Sequence, residues 1–196
     1  MEKLDQGITL LLNGLHSSFT DQMWLVFSDR KIWFPLYLLV AVALVWRLGW
    51  KKGLLMVLTT ALAILCVDQF ANLIKNWACR PRPCNSEYMV AMGHRLLERR
   101  SMSYSFFSAH AANAIAFAIC SSAGFRMDKK KGRANYPAIY TGVIFFWAAM
   151  VGLSRIFVGK HYFGDVVVGF AAGALIACAL VALFNACAAK ATRTAA

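Results

Sequence analysis

Five stretches of the chain, 33–50, 53–74, 105–125, 137–153 and 165–187, are apolar over close to the ~20 positions a helix needs to cross a hydrocarbon layer about 30 Å thick. Trp33, Trp46 and Trp50 bracket the first stretch as interfacial anchors. Pro35 and Pro137 fall in the first turns of their predicted helices, where a missing backbone N–H costs little. Upstream, Leu4, Ile8, Leu11, Leu12, Leu15 and Phe19 recur at helical spacing among polar residues, the pattern of an amphipathic helix lying on the membrane surface, with Trp24, Leu25 and Phe27 following. A sixth, poorly formed span is the competing reading. The prediction is all-α: an integral membrane helical bundle with about five transmembrane helices and an N-terminal amphipathic interfacial helix. No repeat, low-complexity tract or linker divides it, so residues 1–196 form one domain, with 1–30 as the interfacial segment.

Composition points the same way. The chain is 60% hydrophobic and 15% charged, against about 45–50% and about 25% in a soluble domain, which excludes an ordinary water-soluble enzyme. A net charge of +12 would suggest nucleic acid in a soluble protein, but here the basic residues cluster between apolar runs. That is the pattern of a membrane protein with basic loops and no nucleic-acid partner. Cys120, Cys178 and Cys187 lie in apolar stretches as small hydrophobes, and no Cys/His spacing suggests a metal. The N-terminus lacks a compact apolar core followed by a small-residue cleavage site, so it is expected to stay in the mature protein.

With five spans, the 47–52 turn, the 126–133 loop and the C-terminal tail share one side, carrying 10 Lys and Arg; the N-terminus and the 75–104 and 154–164 loops share the other, carrying 11. The tally becomes informative when Lys75, Arg82 and Arg155 are set aside as phosphate ligands, leaving 10 against 8. The short basic loops are then cytoplasmic, and the 75–104 and 154–164 loops face the periplasm or exterior of a cell (inner or plasma) membrane.

Ionisable residues at membrane depth are costly and point to function. Here they gather at one face as Lys75-x6-Arg82-Pro83, Ser108-x-His110 and Ser154-Arg155-x5-His161-x3-Asp165. Lys75, Arg82 and Arg155 offer three positive charges, two of them planar forks able to bind phosphate oxygens bidentately. Ser108 opens a helix, where its hydroxyl and nearby N–H groups can donate to an anion. His161 and Asp165 have the i,i+4 spacing of one helix face, so the carboxylate can hold one imidazole nitrogen and leave the other nucleophilic. His110, from another span, can protonate the leaving oxygen. Together these are the parts of a phosphoryl-transfer site.

The three segments resemble the type 2 phosphatidic acid phosphatase family, which shares its site with the vanadium haloperoxidases. Its motifs run Lys-x6-Arg-Pro, Pro-Ser-Gly-His and Ser-Arg-x5-His-x3-Asp, matching Lys75, Arg82 and Pro83; Ser108 and His110; and Ser154, Arg155, His161 and Asp165. The resemblance spans 75–165. It implies a helical bundle, hydrolysis without metal or cofactor through a phosphohistidine at His161, acid/base work by His110, orientation by Asp165, and a phosphorylated membrane lipid as partner, its phosphate held by Lys75, Arg82, Ser108, Ser154 and Arg155. Undecaprenyl diphosphate, lipid A, phosphatidylglycerol phosphate and phosphatidic acid all present a suitable group. The second motif departs from the pattern, with Phe107 for Pro and Ala109 for Gly; Ala109 would be strained if its backbone required φ > 0. A lipid-to-lipid or lipid-to-glycan phosphotransferase and an inert membrane scaffold of the same fold are the alternatives.

Outside the motifs, Asp68 and Asn72 share a helix face with Lys75; Asp68 either positions Lys75 or pairs across the bundle, and Asn113 either contacts the site or bridges helices. His16 reads as interfacial. His94, Arg95, Arg99 and Arg100 lie in a loop long enough to bind, and meet either a lipid head or anionic phospholipid. Arg80 offers an extra phosphate contact. Cys79 and Cys84 flank Arg80-Pro-Arg82-Pro83, where a disulfide is one option. Asn185 and the Gly169–Gly173 spacing read as helix packing, and the run 128–133 as a topology signal.

Overall fold

A computed structural model describes residues 2–128 and 136–194, with the side chains of 189–194 left aside. Two short helices, α1 (Glu2–Gly14) and α2 (Ser18–Ser28), precede α3 (Phe34–Leu48), α4 (Trp50–Ala78), the small α5 (Glu87–Ala91), α6 (Ala109–Arg126), α7 (Tyr136–Phe157) and α8 (Phe163–Thr194). Gly49 breaks α3 from α4 at φ +80. Ser17 caps α2 with a reciprocal box to Thr20.

Four stretches among the described residues, Arg30–Leu48, Trp50–Ala91, Tyr136–Phe157 and Phe163–Ala188, are long and apolar enough to cross a membrane. The fifth expected span corresponds to α6, which packs against α3, α4, α7 and α8. Twelve of its 18 residues are buried, most of them Ala, Ser, Gly and Cys. A helix surrounded by protein needs small residues for close approach more than it needs apolar ones. The lipid-facing helices show the opposite: α3 turns Phe34, Leu38, Leu39, Val42 and Trp46 outward, each at least 58% exposed. Against α6, α8 presents Gly169 and Gly173, where a Cβ would lie 2.6 Å from the Ser108 carbonyl and 2.1 Å from that of Ala112. The small-residue spacing is therefore a packing seam.

Residues α1 exposes and buries are the reverse of a soluble helix. Leu4 and Leu11 are each 68% exposed, as a helix at a lipid surface requires. The polar stripe Asp5, Thr9 and Asn13 turns inward instead. Asn13 Nδ2 lies 3.1 Å from the carbonyls of Arg95, Ile156 and Phe157, and its Oδ1 accepts from Arg95 N at 2.7 Å. Thr9 Oγ1 accepts from Phe163 N at 3.0 Å, and Asp5 Oδ1 from Gly164 N at 2.7 Å. Trp24 of α2 stacks on Phe157 of α7 with centroids 4.2 Å apart.

At the opposite end, Arg47 pairs with the buried Asp128 at 2.5 Å, and the Tyr136 hydroxyl donates to the same carboxylate. Asp128 is thus a structural anchor as well as the first residue of the basic run. Residues 129–133 of that run, and the Lys190 and Arg193 side chains counted for sidedness, lie outside the described residues.

Candidate active site

His161 sits in the turn joining α7 to α8. Gly159, at φ +84, makes this turn, and a Cβ there would meet the Arg95 carbonyl at 2.1 Å, so only glycine fits. Asp165 is the third residue of α8, and its Oδ2 reaches back to the Tyr162 backbone N–H at 3.0 Å and to His161 Nδ1 at 3.3 Å. The i,i+4 pair therefore meets across a helix N-terminus and not along a helix face, which corrects the geometry expected from the spacing. Ser105 Oγ donates to the same Oδ2, and Arg80 Nη1 holds Oδ1 at 2.7 Å. Asp165, which is 0% exposed, accepts from His161 Nδ1 and leaves the lone pair on Nε2. Burial, outweighing the Asp165 carboxylate, lowers His161 to about 4, so its imidazole is neutral at pH 7.

Arg82 faces that free nitrogen, with Nη1 3.2 Å from His161 Nε2. Three more of its five N–H groups go to the carbonyls of Lys160 and Ser103 at 3.0 and 2.9 Å and to Ser103 Oγ at 2.9 Å. The chain delivers it there because α4 stops at Ala78 in a left-handed Cys79, φ +46, and Pro81 and Pro83 keep the following residues extended or turned. Lys75, in the last turn of α4, makes no hydrogen bond or ion pair among the described residues and lies within electrostatic reach of Arg82, Asp68, Arg30 and Asp165. Arg155 closes the cluster from α7. One of its terminal nitrogens contacts Glu98 at 3.1 Å and Ser28 Oγ, while its buried Nε has no partner.

Ser108 caps α6, accepting from Ala111 N at 3.5 Å, and its own N–H donates to the Asp165 carbonyl at 3.0 Å. This bond ties the second motif to the third. Ser154 lies beside the cluster, but its hydroxyl donates to the Val151 carbonyl at 2.7 Å, within its own helix. His110, one residue into α6, lies within electrostatic reach of His161, Arg155, Lys75 and Arg30.

Several residues here had no role, or a different one, in the sequence reading. Arg80 is bound between Asp165 and Asp5, both at 2.7 Å, and its guanidinium lies 3.8 Å over the Tyr162 ring; it holds the carboxylate and is not a free phosphate contact. Glu98 links Arg155 to Lys160, whose Nζ is 3.7 Å from Oε2. Burial favours the protonated form of Glu98, but Arg155, the Ser28 hydrogen bond and Lys160 outweigh it and hold the carboxyl below its usual range. Arg95 pairs with Asp21 at 2.7 Å. His94 has both ring nitrogens buried and unpartnered, and burial lowers it to about 4. Neither of these two is free to meet a lipid head or anionic phospholipid, the two readings the sequence left open for this loop. Asp68 takes the Asn113 amide at 2.8 Å, so these residues bridge α4 and α6; Asn72 is exposed. Cys79 is exposed, Cys84 is buried, and both are free thiols. Ala109 is helical and Phe107 is buried in the core beside Phe70, so neither departure strains the backbone through a positive φ.

A family model described as the PAP2 superfamily matches residues 52–188, a region that contains all three segments. The chain belongs to the PAP2 superfamily. The resemblance drawn from Lys75 to Asp165 is thereby borne out. A lipid A 4'-phosphatase of Bacteroides thetaiotaomicron is 32% identical over 171 residues, covering 86% of this chain and 72% of the relative. A second protein of that name, from Porphyromonas gingivalis, is 25% identical over 175 residues, covering 89% and 70%. In fold, the chain is similar to a transmembrane PAP2-type phosphatidylglycerolphosphate phosphatase from Bacillus subtilis, at a TM-score of 0.72 and 20% identity over 93% of this chain and 85% of that one. Aquifex aeolicus LpxE follows at 0.64 and 22%, over 89% and 93%. The helical bundle and its membrane setting are thus those of PAP2 membrane phosphatases.

Proposed function

We propose that this PAP2 protein is a lipid phosphatase that removes a phosphate from a lipid-linked sugar of the lipid A type, at the periplasmic face of the inner membrane. The observation that carries the chemistry is the alignment Asp165–His161–Arg82: a buried carboxylate holds Nδ1, and a guanidinium stands beside the lone pair of Nε2. The substrate class rests on the two relatives named lipid A 4'-phosphatase, which match this chain over most of their length.

In the proposed reaction, the phosphate settles among Lys75, Arg82, Ser108 and Arg155, whose unpartnered Nε supplies a further donor. His161 Nε2 attacks phosphorus, the P–N bond forms as the ester P–O bond breaks, and protonated His110 gives its proton to the departing oxygen. Neutral His110 then takes a proton from water, whose oxygen attacks phosphorus; the P–N bond breaks, inorganic phosphate leaves, and His161 is restored. Asp165 holds the attacking tautomer throughout, with Arg80 and Ser105 holding Asp165. Ser154 is given no contact to the phosphate, since its hydroxyl is bonded to the Val151 carbonyl of its own helix.

The deciding experiment assays pure protein in detergent against lipid A, undecaprenyl diphosphate, phosphatidylglycerol phosphate and phosphatidic acid, with no acceptor added. Release of inorganic phosphate, greatest from lipid A, is expected. Transfer without release would establish a phosphotransferase instead. His161→Ala should abolish turnover, and substantial activity in that variant would overturn the phosphohistidine route.

A further inference from the structure

Arg30 lies outside the three motifs, in the short turn between α2 and α3, 80 residues from His110 in sequence. Its guanidinium is nonetheless 3.0 Å from His110 Nε2 and 3.2 Å from Nδ1. Both residues line a cavity of about 240 Å³ together with Asp68 and Asn113, and Phe27, Trp33 and Tyr37 are among its aromatic walls. His161, Arg82 and Arg155 do not line it. Since His110 is the group expected to protonate the leaving oxygen, this cavity is where the leaving group goes.

Its polar end has a definite chemistry. Arg30 has only donors and is exposed, so it can exchange the imidazole for a substrate oxygen. Asn113 supplies the complement. Asp68 accepts its Nδ2 at 2.8 Å, which leaves Oδ1 as the outstanding atom, and that oxygen is buried without a partner. An acceptor buried alone is unfavourable, so it calls for a donor from whatever fills the cavity. A second, fully ionised phosphate offers acceptors only, and a plain alkyl chain offers neither. A hydroxylated ring offers both.

We infer that Arg30 and Asn113 form a leaving-group site that reads a hydroxylated, sugar-like leaving group, Arg30 donating to a ring oxygen and Asn113 Oδ1 accepting from a hydroxyl. Arg30 is thereby a specificity-determining residue of the site. The inference rests on the phosphatase reading and narrows it.

The test compares the wild type with Arg30→Ala and Asn113→Ala on two substrates, a lipid-linked sugar phosphate and dodecyl phosphate, whose leaving group has no polar atom beyond the ester oxygen. Any effect of Arg30→Ala through His110 is common to both substrates, so the reading is the difference: kcat/KM falls about 10- to 100-fold further on the sugar phosphate than on dodecyl phosphate, from loss of one charge-assisted hydrogen bond. A second measurement uses product inhibition. The dephosphorylated glycolipid should inhibit Arg30→Ala about tenfold more weakly, while inhibition by inorganic phosphate is unchanged. Equal losses on both substrates, or equal shifts for both products, would mean that Arg30 acts only through His110 and would overturn the assignment, as would no loss on either. A wild-type protein releasing phosphate from neither substrate would overturn the phosphatase reading itself.

Discussion

Asp165 Oδ2 receives donors from His161, Tyr162 and Ser105 while Oδ1 is held by Arg80, so one buried carboxylate fixes the tautomer and direction of the candidate nucleophile. Because burial lowers His161 to about 4, its lone pair is available at every pH above that value. A titration of the His161 ring protons by NMR in micelles should give a midpoint near 4; one at 6 or above would contradict the geometry. The linkage follows in sign. Between the unfolded value of 6.5 and about 4, the unfolded chain binds the extra proton, so His161's contribution to stability is complete above 6.5 and is lost as pH falls through the folded value. Arg80→Ala removes the ion pair to Asp165 and leaves that buried charge short of a partner. A fall in kcat of about 10- to 100-fold is expected, by analogy with groups that orient first-contact ligands, while a conservative Arg80→Lys should restore part of it.

At the scale of elements, α1 acts as a strap across the turn that carries His161. Asn13 shares its two amide hydrogens among three carbonyls and accepts one N–H, all from segments more than 80 residues away. Asn13→Ala should destabilise the fold by about 2 kcal/mol, since the partners are left buried, seen as a lower unfolding temperature in detergent; an unchanged temperature would show that α1 is not docked. The seam between α6 and α8 is equally exacting. Gly173→Val would drive a side chain into the Ala112 carbonyl, 2.1 Å from the Cβ position, at a cost of about 1–3 kcal/mol. Because Ser108 N–H is bonded to the Asp165 carbonyl across that seam, the same variant should lose activity along with stability, whereas a substitution at the exposed Gly142 should lose neither.

Over the whole molecule, the site lies at one end of the bundle, formed by the ends of α4 and α7 and the starts of α6 and α8. At the other end Arg47 and Asp128 join α3 to the segment after α6. If the first end is periplasmic, the C-terminus of α8 lies in the cytoplasm. A C-terminal fluorescent-protein fusion should then mature and glow, while an exported-phosphatase fusion at the same point should stay inactive; the reverse pair would invert the orientation. Charge serves both ends of this arrangement, with basic loops on one side and Lys75, Arg82 and Arg155 converging on the other.

The lipid-facing spans, the amphipathic N-terminus and the three motif segments were legible in the chain itself, because apolar length, helical period and the spacing of His161 from Asp165 are local properties. The central position of α6 showed only as a run of small residues, and hydropathy alone underrates such a helix because it faces protein and not lipid. The inward polar stripe of α1 was written at the same period as its apolar stripe, yet nothing in the sequence said what it would bind. Only the tertiary structure brought Arg80 and Ser105 to Asp165, Ser28 and Glu98 to Arg155, and Arg30 to His110. These pairs join segments 57 to 127 residues apart, and no periodicity reaches that far; they exist because α6 packs closely enough for the ends of its neighbours to meet.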